Sequence, residues 1–74
     1  MDGDRITVEM QEEYALVLFD TLAELNKSSY AESLDVAAQR VLWDLEADLQ
    51  KQLVQPFSPD YQKLVEEAKS RING

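Results

Sequence analysis

The chain has 74 residues, 45% of them hydrophobic and 30% charged, with two glycines and two prolines. That composition suits a folded domain with room for one small core. There is no cysteine and no histidine, which removes disulfides, thiolate metal sites, the usual zinc constellations and histidine-assisted catalysis. The formal charge of −8 argues against direct binding to nucleic acid or to anionic lipid, since both need a basic patch.

The acidic N-terminus, Met1-Asp2-Gly3-Asp4, lacks the basic start of a signal peptide. The longest apolar run, Ala15 to Phe19, is too short for a membrane span. A cytoplasmic protein is the default expectation. From Arg5 to Met10 the sequence alternates, with Ile6, Val8 and Met10 set against polar neighbours. A period of two with β-branched residues predicts a short strand over 5–10.

The spacing then predicts a helix over 11–26. Glu12 and Glu13 favour the positive end of its dipole, and Tyr14, Leu18, Leu22 and Leu25 fall on one face. Ala15, Leu16, Phe19 and Ala23 widen that face into an arc too broad for a single neighbour. Asn26-Lys27-Ser28-Ser29 reads as a stop and a loop.

A second helix is predicted over 33–54, with Ser33 as N-cap. Leu34, Ala38, Val41, Leu45, Leu49 and Leu53 form its main stripe, with Leu42 beside it. Val36, Trp43, Ala47 and Val54 form a weaker one, and Arg40, Asp44, Asp48 and Lys51 lie between the two. Pro56 disfavours helical geometry at Gln55. Ser58-Pro59-Asp60 starts a third helix, over 59–72, with Ser58 as cap and Pro59 first. Its Tyr61, Leu64, Val65, Ala68 and Ile72 share one face, and Lys63–Glu67 and Glu67–Arg71 are spaced for ion pairs. The expected fold is a mainly α, single-domain, three-helix antiparallel bundle with a short N-terminal β-strand.

Catalytic, cofactor and metal sites are not expected. Asp20 with Glu24, and Asp44 with Asp48, lie side by side at i,i+4 on solvent faces. Nothing there drives one pKa apart from the other, as acid–base work requires. The serines have no histidine as base, and the glycines sit only at the termini, so no loop cradles a phosphate.

Candidate interface residues are easier to name. Trp43, beside Val36, either packs beneath the strand or third helix or anchors a partner, because tryptophan is a common hot-spot residue. Tyr30 and Phe57, in connecting segments, either cap the bundle ends or join the same patch. Ile6, Val8 and Met10 lie on a strand with no second strand in the chain. Its backbone would have to pair with another copy or with another protein's sheet edge.

The segments Glu13-Tyr14-Ala15-Leu16-Val17-Leu18-Phe19-Asp20, Gln39-Arg40-Val41-Leu42-Trp43-Asp44-Leu45-Glu46 and Leu53-Val54-Gln55-Pro56-Phe57-Ser58-Pro59-Asp60-Tyr61 resemble those of short bacterial helical proteins laid out as a strand followed by three helices. The resemblance implies a free-standing bacterial domain and brings no activity with it.

The expected function is a small acidic protein–protein interaction module, homodimeric or with a further protein partner. The alternative is an acidic inhibitor or nucleic-acid mimic occupying a basic groove of a partner. It rests on the 12 acids and 3 bases from Met1 to Asp48, against 3 acids and 4 bases in the remainder.

Overall fold

The computed structural model describes residues Arg5 to Gly74. Three helices follow in order: α1 (Glu12–Lys27), α2 (Val36–Gln52) and α3 (Tyr61–Asn73). Single 3₁₀ turns at Ala31–Ser33 and Gln55–Phe57 connect them. Both pairings with α1 are antiparallel. Glu12 and Ala15 near the start of α1 lie with Gln52 and Leu53 at the end of α2, and Arg71 near the end of α3 reaches Glu13 of α1.

Each helix differs from its predicted bounds by one to three residues, and the caps explain how. Asp35, not Ser33, caps α2: its carboxylate accepts the Ala37 N–H at 2.9 Å, which satisfies one of the unpaired donors at a helix start. The Ser33 hydroxyl turns back to donate to the Tyr30 carbonyl at 2.7 Å and closes the 3₁₀ turn. Ser58 does mark the start of the third helix, from two residues further out. Its hydroxyl accepts the Asp60 N–H at 3.1 Å and its carbonyl accepts the Tyr61 N–H at 3.2 Å. Pro59 and Asp60 thus form a turn, and α3 begins at Tyr61.

Among the described residues there is no strand, so the predicted strand over 5–10 is corrected: Arg5–Met10 carries neither helix nor strand. The alternation is present in the sequence, but a ladder needs a second edge to accept and donate its backbone bonds.

The core centres on α1. Leu16, Phe19 and Leu22 are buried between Leu49 and Leu53 of α2 on one side and Val65 and Ala68 of α3 on the other. Both outer helices pack mainly on α1, as the broad apolar arc of that helix requires. The Phe19 ring meets Tyr61 edge-to-face, with centroids 6.4 Å apart and planes at 82°, a favoured aromatic geometry.

Phe19→Ala should cost about 3–5 kcal/mol by loss of buried area and creation of a cavity. Small domains have little more than that to lose. Urea denaturation followed by circular dichroism should therefore find this variant largely unfolded, whereas Thr21→Ala, on the exposed side of the same helix, should shift the midpoint only slightly.

Candidate interaction surface

The burial pattern is unusual for a small domain. Six large apolar side chains are buried: Leu16, Phe19, Leu22, Leu49, Leu53 and Val65. Eleven are exposed: Ile6, Val8, Met10, Tyr14, Tyr30, Val36, Val41, Trp43, Leu45, Val54 and Phe57. Single exposed apolar residues are ordinary, but groups of them are not.

Their positions follow from the packing. Because α2 has only α1 as its main neighbour, it buries a narrow strip through Leu42, Leu49 and Leu53. Val41 and Leu45, predicted as part of the main core stripe, are turned off that strip. Leu45 is 37% exposed and Val41 more so, which corrects the sequence reading. A stripe wider than about 100° needs a second neighbour to cover it, and the monomer does not supply one.

Three apolar regions result. In the first, Ile6, Val8 and Met10 stand over a groove floored by Ala15 of α1 and Leu45, Leu49 and Leu53 at the end of α2, and a gap of about 890 Å³ lies between segment and floor. In the second, Trp43 and Val36 lie on the opposite flank of α2. Trp43 is 62% exposed and borders a shallow depression of about 230 Å³ with Glu46, Ala47 and Gln50. It packs beneath neither a strand nor α3, so that expectation is also corrected. The third is two separate points, because Tyr30 and Phe57 project from the 3₁₀ connections before and after α2, 75% and 74% exposed, and cap no bundle end. All seven sequence-predicted interface residues are therefore at the surface. Only Ile6, Val8 and Met10 share a groove, while Val36 and Trp43 share a helix flank.

The acidic residues act across helices. Asp20 accepts a hydrogen bond from the Tyr61 hydroxyl at 2.9 Å, tying α3 to α1. Asn26 donates to Glu46 at 2.6 Å, tying α2 to α1. Arg71 meets Glu13 of α1 at 3.6 Å instead of turning back to Glu67, and within α3 the ion pair is Lys69–Glu66 at 3.7 Å. α1 thus offers two acids to α3 and the amide of Asn26 to Glu46 of α2, an arrangement that i,i+4 spacing along one helix does not reveal. Asp20 and Glu24 border a polar cleft of about 340 Å³ with Glu46, Lys27 and Tyr61. Among the described residues no group of three metal-ligating side chains converges, and no helix is long and apolar enough to cross a membrane.

The chain matches no protein-family model, and comparison with curated proteins and with solved structures finds no match either. The resemblance to short bacterial helical proteins gains no support from these comparisons, and the functional reading rests on the surface alone.

Burial pushes the Tyr61 phenol above its ordinary pKa of 10.0, and the hydrogen bond to Asp20 adds to the shift. The folded chain thus holds this proton more tightly than the unfolded chain. The resulting stabilisation is complete below about pH 10 and is lost as the pH rises further. Between about pH 9 and about pH 11 the urea midpoint of the native sequence should fall more steeply than that of Tyr61→Phe. At neutral pH the variant should be less stable by about 1 kcal/mol, the worth of one hydrogen bond.

Proposed function

We propose that this chain binds rather than catalyses, as a small acidic protein–protein interaction module that works as a homodimer. The observation that carries the reading is that eleven of the 25 large apolar side chains among the described residues are exposed. The surface area agrees with it. The chain exposes 6048 Å², whereas a compact monomer of its mass would expose about 4,650 Å². The Cα radius of gyration is 13.7 Å, against about 11.3 Å for a compact domain of this length.

The excess, about 1,400 Å², exceeds the roughly 800 Å² that each partner buries in a standard interface. With neither disulfide nor zinc site to staple a small core, association is the remaining route to added stability. A twofold dimer is the commonest form that association takes.

Trp43 suits a hot-spot role, being large and rigid on a regular helix beside Val36. The contacts of Asp20, Glu46 and Glu13 tie helices together, which supports a structural role for these acids.

Size-exclusion chromatography with light scattering over a dilution series tests the homodimer. The expected mass is twice the 8.5 kDa of the chain, persisting to low micromolar concentration. A chain of single mass at every concentration would overturn the reading.

A further inference from the structure

We propose that the dimer forms through the N-terminal segment and the groove beneath it, with Arg5–Met10 of two copies pairing antiparallel about a twofold axis that passes between their two Val8 residues. The inference rests on the homodimer reading and says which surface makes the dimer.

The backbone comes first. Among the described residues no backbone hydrogen bond involves Arg5 to Met10, so the segment has donors and acceptors to offer a second edge. Its alternation of Ile6, Val8 and Met10 with Arg5, Thr7 and Glu9 is what one strand of a half-buried ribbon needs. A second copy supplies the missing edge, and it supplies the same sequence, as an isologous interface demands.

Register follows from the side chains. Residues directly opposite in an antiparallel pair point to the same face. Placing Val8 opposite Val8 sets Ile6 opposite Met10 on both sides, so all six apolar side chains lie on one face. On the other face Thr7 lies opposite Glu9, and Arg5 lies diagonal to the partner copy's Glu9, close enough for an ion pair. A slip of two residues in one direction sets Glu9 against Glu9, which is repulsive, and in the other it leaves Met10 with no apolar residue directly opposite.

The groove accounts for the apolar face. Leu45, half covered by its own chain, lies below the segment with Leu49 and Leu53 across a gap of about 890 Å³. A pocket of that size would hold a ligand of several hundred Å³, or equally the side chains of a partner's strand. The second strand fills it with groups the chain already carries. Burial there draws on the excess surface of the monomer and widens the strip that α2 can bury to include Leu45.

The native chain has no cysteine, so single cysteines report contacts between copies without background. Val8→Cys should place two thiols opposite each other within disulfide reach. Oxidised glutathione should then convert Val8→Cys to a covalent dimer at least tenfold faster than Thr21→Cys, at an exposed position of α1. Ile6→Cys mixed with Met10→Cys should cross-link faster than either alone. Leu45→Glu should raise the dissociation constant of the dimer at least tenfold while keeping the helical circular dichroism; should that variant unfold, the cysteine rates decide.

A native dimer in which Val8→Cys links no faster than Thr21→Cys would overturn this interface and leave the homodimer standing. So would a folded Leu45→Glu dimer of native affinity. A native chain monomeric at all concentrations would overturn both.

Discussion

Everything in this fold depends on α1 being covered from two sides while its neighbours are covered from one. Phe19, Leu16 and Leu22 present an arc that α2 and α3 share, and the cross-helix polar contacts converge on the same helix: Asp20 with Tyr61, Asn26 with Glu46, Glu13 with Arg71. A helix so placed is buried because both partners bury their strongest stripe on it. Each partner then has one stripe spent and the rest of its circumference in water. For α3, whose apolar residues are confined to one face, this is sufficient. For α2 it is not, because its apolar residues cover more than one stripe.

The consequence for stability is direct. Transfer of apolar area from water supplies most of the favourable free energy of folding, at about 25 cal/mol per Å², and the entropy cost is set by chain length whether or not the area is buried. A chain of this length that leaves Val36, Val41, Trp43 and Leu45 in water forgoes part of that gain while meeting the full cost of ordering the helix that carries them. The acidic charge lies on the faces between the apolar strips, at Asp44 and Asp48 for example.

Much of the helical architecture was legible in the sequence because it depends on local chemistry. The period of α1, the acids in its first turn, the breaker at Pro56 and the Ser58-Pro59-Asp60 start all act within a few residues. The cap of α2 was misplaced because Ser33 and Asp35 are both good capping residues two positions apart. The choice fell to Asp35 once Ser33 closed the preceding 3₁₀ turn, a competition between local hydrogen bonds. Val41 and Leu45 were misjudged for another reason: periodicity shows which residues share a face, not whether a neighbour is present to cover it. Trp43 shows the same limit. As a lone tryptophan on a secondary stripe it had two readings, and only the absence of a helix beside that flank separates them.

The N-terminal segment illustrates the deepest of these limits. Its alternating pattern is a statement about two faces, one wet and one dry, and a pattern of that kind is satisfied only when a second strand and a dry surface are both present. Within one chain the dry surface exists, at Leu45, Leu49 and Leu53, and the second strand does not. Helix patterns are complete within one segment because every backbone bond closes four residues away; strand patterns are never complete within one segment. Here the strand-like sequence finds no partner among the described residues and lies over an apolar groove of the same chain. The alternation was read correctly as a two-faced pattern and wrongly as an element of the monomer, since pairing is a property of whatever brings a second edge to it.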